Sequence, residues 1–212
     1  MLIYEKKNKS KCWIHRHLSD KYVKLSYQKG FRSRSIFKLK DLNNSDKLFT
    51  SGMTVVDLGS APGSWSEYAA KKIGKYGKVV ACDVLPMLPI KNVHFIQGDV
   101  RDEIVLYKIL NYLEYKSVNV LMSDMAPNIS GYSAIDIPKF ILLCELVLNI
   151  SNIILIEGGT LLIKLFQGEG FEEYLKKVCT LFSSVHVRKP NSSRSNSKEI
   201  FIVAAKKKKI TS

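Results

Sequence analysis

Short apolar runs rich in β-branched residues alternate with stretches whose apolar positions recur every three or four residues, from about residue 54 to residue 204. Residues 54–56, 77–83, 93–99, 118–122 and 160–165 have the composition of strands buried on both faces. Between them, helical spacing begins at Trp65, runs from Asp102 through Leu113, and returns at about 138–150 and 171–179. Residues 185–187 and 200–204 close the series as a strand pair flanking a Ser/Asn/Arg loop. Strand and helix in succession predict an α/β fold, a largely parallel doubly wound sheet covered by helices on both faces. Before the series, Trp13, Ile14, Leu18, Tyr22 and Leu25 fall at near-helical spacing; Gly30 breaks the pattern, and Ile36, Phe37, Leu39 and Leu42 resume it. No internal repeat or second domain is visible.

The stretch Thr54-Val55-Val56-Asp57-Leu58-Gly59-Ser60-Ala61-Pro62-Gly63-Ser64-Trp65 organises the rest. A buried strand breaking into a glycine-rich turn and then a helix is the first strand–loop–helix unit of a nucleotide-binding sheet. Glycine permits close approach of backbone N–H groups to a ligand. The Gly59/Gly63 spacing is neither G-x-G-x-x-G nor a P-loop. Asp57, two positions before Gly59, would repel a pyrophosphate; it suits a cationic or zwitterionic ligand such as S-adenosylmethionine. An ordinary tight turn with a structural aspartate is the plainer alternative.

Charge changes the picture because it is segregated. The chain has 212 residues, 46% hydrophobic, and a formal net charge of +14, enough length for one domain with a core. Residues 1–40 carry a net +10 and residues 176–212 a net +9, while the middle carries −5. A mildly acidic body with two basic ends predicts an anionic polymer substrate. Lysines that are merely solvated are the plainer reading, and for Lys206–Lys209 the two stand level. Cys12, Cys82, Cys144 and Cys179 are scattered without a C-x-x-C or neighbouring His pair, so neither zinc nor a disulfide framework is expected. The N-terminus is basic without an apolar signal region, and the apolar stretch 140–156 contains Glu145, Asn149, Ser151 and Asn152. That stretch reads as a buried helix running toward a strand, and the expected location is cytoplasmic with no membrane contact.

In doubly wound sheets ligands gather at the carboxyl ends of the strands, where Asp57, Asp83, Asp99 and Asp124 fall. One such acid is ordinary, usually a cap or a turn; four beside a glycine loop point to a ligand. Asp83, about twenty residues past the loop, suits a ribose diol. Lys164 lies inside the apolar run Leu161-Leu162-Ile163-Lys164-Leu165-Phe166, where it either snorkels to solvent or points into a cleft near Asp124.

Five segments together resemble the FtsJ/RrmJ family of S-adenosylmethionine-dependent RNA ribose 2′-O-methyltransferases, in particular its bacterial large-subunit rRNA branch. They are residues 19–23, 32–39, 57–65, 123–128 and 164–168, reading SDKYV, RSRSIFKL, DLGSAPGSW, SDMAPN and KLFQG, and the likeness spans about 11–205. Ser64 stands where glycine is common. The resemblance implies a Rossmann-like methyltransferase fold with one antiparallel strand near the C-terminus. It also implies a catalytic set Lys38, Asp124, Lys164 and Glu199, of which composition alone would not have singled out Lys38 or Glu199. For S-adenosylmethionine (product S-adenosylhomocysteine) it implicates Gly63, Trp65, Asp83, Asp99 and Asp124, with Asp57, Gly59 and Pro62 shaping the loop.

The implied reaction is methyl transfer to the 2′-hydroxyl of a uridine in 23S rRNA of the large ribosomal subunit, by a monomer without a metal. Alternatives are tRNA anticodon-loop 2′-O-methylation and a noncatalytic RNA-binding assembly factor. Arg32, Arg34, Lys38 and Arg194 are the candidate RNA contacts. An ordinary lysine is a poor base at neutral pH, so Lys164 is expected to orient the 2′-oxygen, accepting its proton only if burial and Lys38 outweigh the neighbouring acids. The expected organisation is a basic arm at 1–11, a basic helical extension at 12–45, a catalytic core at 46–205 and a basic tail at 206–212.

Overall fold

The computed structural model describes residues 19–114, 118–128, 130–194 and 196–209. Cys12, the proposed arm, the helical positions Trp13, Ile14 and Leu18, and the last three residues of the tail lie outside them. Seven strands form one sheet, β1 (Thr54–Leu58), β2 (Lys78–Asp83), β3 (Val93–Gln97), β4 (Val118–Ser123), β5 (Leu155–Phe166), β6 (Phe182–Arg188) and β7 (Glu199–Lys207), in the order β3-β2-β1-β4-β5-β7-β6. Pairing is parallel from β3 through β5; β7 inserts antiparallel between β5 and β6 and is the single reversed strand. The order reverses between β1 and β4, which opens a crevice at their carboxyl ends.

Among the described residues six helices surround the sheet, α1 (Lys21–Gln28), α2 (Ser35–Asp46), α3 (Ser64–Ile73), α4 (Glu103–Tyr112), α5 (Ser133–Ile154) and α6 (Phe171–Leu181). Side chains alternate across each strand, so the two faces carry separate cores. One contains Ile36, Leu39, Val55, Trp65, Met122, Leu162 and Phe201 under α2 and α3. The other contains Leu58, Val80, Leu121, Ile163, Val147, Tyr174 and Ile202 under α4, α5 and α6.

Helix α5 starts five residues before the expected position and carries Pro138 internally. Proline lacks only the N–H that would reach Ala134, an exposed residue whose carbonyl water can serve. Asp136 fixes the turn ahead of it, accepting from Ser130 N at 2.9 Å and Gly131 N at 2.9 Å. This helix is apolar and long enough to cross a membrane; here it lays Phe140, Cys144, Val147, Leu148, Ile150 and Ile154 into the sheet.

Two lysines of the C-terminal run fold back onto helix ends, one of them buried. Lys207 is buried, and its Nζ donates to Asn152 O at 2.6 Å and Leu155 O at 2.9 Å, closing the last turn of α5. Lys208 Nζ donates to Cys179 O and Thr180 O at the end of α6. Helix ends leave such carbonyls unsatisfied, and a cation there also meets the favourable end of the helix dipole. Lys207→Met is therefore expected to destabilise the protein by about 2–3 kcal/mol, the scale of lost charge-assisted hydrogen bonds, read as a fall in unfolding midpoint; Lys206→Met should change little.

Candidate active site

The glycine loop follows from β1 as its residues dictate. Gly59 (φ 76°) and Gly63 (φ 102°) adopt left-handed backbone that other residues avoid. A Cβ on Gly59 would come within 2.5 Å of Met125 Cγ, so the loop and the segment after β4 approach as closely as a glycine allows. Asp57 is fully buried at the end of β1; its Oδ2 accepts from Ser66 Oγ at 2.6 Å. Burial pushes its carboxyl up to about 7, against the Ser66 hydrogen bond and with smaller contributions from Asp124 and Asp83. Asp83 fastens the loop from β2, accepting from Ala61 N on Oδ2 and Leu85 N on Oδ1, both at 2.8 Å. Asp99 is held by Arg101, whose hydrogen bonds keep its carboxyl below the usual range.

Lys164 is buried on β5, on the face that carries Leu162 and, across the ladder, Phe201. Register places Ser123 of β4 opposite Ile163, so Asp124 arrives beside Lys164. Lys164 Nζ lies 2.9 Å from Asp124 Oδ1 and donates to the Asp124 carbonyl. Oδ1 is thus an ion-pair partner that receives no directed hydrogen bond. Two residues from Phe201, Glu199 projects from the same face of β7. Its Oε2 accepts from Lys38 Nζ of α2 at 2.7 Å and its Oε1 from Ser193 Oγ at 3.2 Å. Lys38 Nζ also lies 5.7 Å from the Phe201 ring centroid. Two cation–carboxylate pairs, from positions scattered between 38 and 199, therefore stand at one end of the sheet, on either side of Phe201.

Other candidates are placed differently from expectation. The Trp65 side chain is buried in the core; its Nε1 donates to Ser35 O at 2.9 Å and its ring lies 5.8 Å from that of Phe201. It ties the glycine-loop helix to α2, so any ligand contact there belongs to its backbone. Arg32, expected at RNA, spends its guanidinium on Pro62 O (3.2 Å), Leu88 O (3.0 Å) and Pro89 O (2.9 Å), with Glu67 at 3.5 Å. It clamps the glycine loop to the segment after β2. Arg34 pairs with Asp20 and donates to Ser192 O, whereas Arg194, 3.2 Å from the same carboxylate, keeps 46% of its side chain exposed. Sequence reasoning missed Ser66 and Ser193, single hydroxyls whose partners lie 9 and 6 positions away; only the three-dimensional neighbours identify them.

Three buried polar atoms around the loop receive no hydrogen bond, Asp57 Oδ1, Ser60 Oγ and Asp124 Oδ1. Native interiors rarely leave such atoms alone. The unpartnered oxygen of Asp57 and the Ser60 hydroxyl, beside an Asp124 whose Oδ1 already faces Lys164, fit a ligand that carries N–H donors and positive charge. Among the described residues, no His/Cys/Asp/Glu cluster has metal-ligand geometry.

Residues 31–207 match the profile of the FtsJ-like methyltransferase family. Among solved structures, a putative ribosomal RNA methyltransferase from Plasmodium falciparum is 28% identical, with TM-score 0.75 over 84% of this chain and 98% of that one. Aeropyrum pernix fibrillarin, solved with natively bound S-adenosyl-L-methionine, shares the fold at 15% identity, with TM-score 0.56 over 80% of this chain and 73% of that one. A putative rRNA-methylase from Clostridium thermocellum does so at 19% identity and TM-score 0.54, over 80% of this chain and 97% of that one.

Proposed function

The chain belongs to the FtsJ-like methyltransferase family, and from that membership we propose that it transfers a methyl group from S-adenosylmethionine to the ribose 2′-hydroxyl of a uridine in 23S rRNA of the large ribosomal subunit. The observation that carries this reading is the buried Lys164–Asp124 pair at the strand ends beside the glycine loop, with Lys38–Glu199 at the start of the neighbouring strand β7. When bound, S-adenosylmethionine supplies an electrophilic methyl group on a sulfonium. Gly59 and Gly63 would let the backbone approach it, Asp83 and Asp99 would hold its nucleoside part, and Asp57, with its unpartnered oxygen, and Asp124 would face its cationic end.

Methyl transfer to oxygen is an in-line displacement, so most of the rate comes from orientation. An ammonium has three N–H groups; Lys164 directs one at the Asp124 carbonyl and faces its carboxylate, leaving another for a sugar oxygen. Asp124 thereby positions Lys164 while belonging to the donor site, which sets the spacing between hydroxyl and methyl group. As the O–C bond forms, the hydroxyl proton must leave; Asp124 and Glu199 give the site carboxylates that can receive it directly or through water. Lys38, locked to Glu199, keeps a second cation at the groove through which a ribose phosphate would pass.

Incubating the protein with methyl-labelled donor and, separately, large subunits, small subunits and tRNA tests the reading. Label in large subunits that digests to 2′-O-methyluridine is expected. Label in tRNA alone would move the substrate, and no label in any RNA would overturn the enzymatic reading.

A further inference from the structure

Beside the Lys38/Glu199 pair lies a depression of about 260 Å³, and on the other side of Arg34 and Arg194 lies a larger groove of about 530 Å³. The two share those arginines as a common wall. The larger groove is within the ~300–1,000 Å³ range of small-ligand sites. We propose that this groove, lined by Asp20, Tyr22, Arg34, Asn191, Arg194 and Asn196, holds the base of an unpaired nucleotide next to the methylated one. The inference rests on the RNA-methylating reading and adds a place where sequence is sensed.

Lys21, Arg34 and Arg194 give the groove positive charge, but its other groups suit more than a phosphate. Phosphate oxygens only accept hydrogen bonds, yet the floor carries a carboxylate, Asp20, which N-caps α1 through Tyr22 N at 3.0 Å and pairs with both arginines. Burial by itself would raise the Asp20 carboxyl, but Tyr22 N–H, Arg194 and Arg34 together hold it below the usual range, keeping the anion in place. Asn191 and Asn196, both exposed, bring amides that donate and accept. A base edge presents both kinds of group, and proteins read unpaired RNA bases with such side chains while stacking them on aromatic rings or guanidinium planes. The Tyr22 ring is already in contact with Phe37 (5.2 Å) and with the Lys21 and Arg34 cations (5.0 and 5.6 Å from its centroid), so the stacking plane is the half-exposed guanidinium of Arg194.

Phosphates have a better surface elsewhere. Lys29 just past α1, Lys40 on α2 and Lys71 and Lys72 on α3 crowd together; burial and then the three neighbouring ammonium groups depress the proton affinity of Lys40. The groove is also prepared in advance. Ser192 donates through N (3.1 Å) and Oγ (2.9 Å) to Asp41, Lys189 Nζ donates to Ser197 O at 3.0 Å, and Arg188 pairs with Asp46 at 2.7 Å. A wall fixed before binding loses less conformational freedom when a base enters.

Fluorescence anisotropy with the full chain tests this, using labelled RNA heptamers of adenosine with one central uridine. One base at a time is replaced by an abasic ribose, and salt is varied. In the wild type one flanking abasic position is expected to weaken binding roughly tenfold, the scale of one base contact. Asn191→Ala/Asn196→Ala should weaken binding of the intact heptamer and abolish the further loss at that position, with the salt slope unchanged. Arg194→Lys, which keeps charge but loses the plane, should behave likewise, and unfolding midpoints of all variants should match the wild type. Equal abasic losses in variant and wild type, no sensitive position, or a variant whose salt slope falls would each overturn the proposal. Abasic coupling without methyl transfer to any RNA would leave the groove standing and overturn the enzymatic reading; methyl transfer without coupling would overturn the groove alone.

Discussion

Lys164→Met is expected to lower single-turnover methyl transfer by roughly 10²–10⁴-fold, the range associated with one positioned proton-transfer or orienting group. The side chain is buried at the end of an apolar strand and holds Asp124 through both a carbonyl and a carboxylate contact. Methionine keeps its length and apolar packing while deleting the nitrogen. Asp124 would lose its charge partner, a change that in a buried pair is often severe. Asp124 keeps 20% of its side-chain surface exposed, so water can relieve it and the folded state should persist. S-adenosylmethionine affinity should change far less than the rate, because Asp83, Asp99 and the glycine loop are untouched. The measurement is a single-turnover time course with saturating protein, paired with calorimetric titration of the donor. Lys38→Met provides the comparison: it frees Glu199 without disturbing Asp124, so a smaller rate loss is expected. An unchanged single-turnover rate in Lys164→Met would remove Lys164 from the reaction.

The order of elements could be read from the sequence because buried parallel strands write themselves as continuous apolar runs, and four of the first five are followed by helical spacing. Acids at 57, 83, 99 and 124 could be placed at strand ends for the same reason. The partners of long polar side chains could not. Nothing local indicates that Asp20 captures two arginines, or that Arg32 reaches across 56 positions to Leu88 O. Lysine runs carry no periodicity, so the two members of 206–209 that bond helix-end carbonyls look like the others. Lys38 and Glu199 stood out only through family resemblance; a lysine on a helix and a glutamate opening a strand are each unremarkable until the fold brings them within 2.7 Å. Where the Trp65 side chain goes could not be read either, because a tryptophan after a glycine loop can face ligand or core, and here it packs against α2, which precedes the sheet in sequence.

Asp57 sets the second large effect, on stability as a function of pH. Its carboxyl is raised from 3.8 to about 7 in the folded protein, chiefly by burial. Below pH 4 both states hold the proton and the group contributes nothing. Between about 4 and 7 the folded chain retains a proton that the unfolded chain has released, so stability falls as pH rises. Above 7 the folded state carries the buried charge and the penalty is complete, on the order of 4 kcal/mol at 1.36 kcal/mol per unit of displacement. Asp57→Asn removes that titration while retaining a carbonyl for the Ser66 hydroxyl. The variant is therefore expected to match the wild type near pH 4 and to exceed it by a few kcal/mol at pH 8.5, measured by urea unfolding without the methyl donor. His94, whose proton affinity burial lowers, acts in the opposite sense by favouring the folded state as pH rises through its range. It is common to both proteins, so the difference between the two curves isolates Asp57. Parallel curves across the whole range would mean that Asp57 is ionised and compensated throughout, and the unpartnered Oδ1 would lose its standing as an acceptor reserved for a cationic ligand.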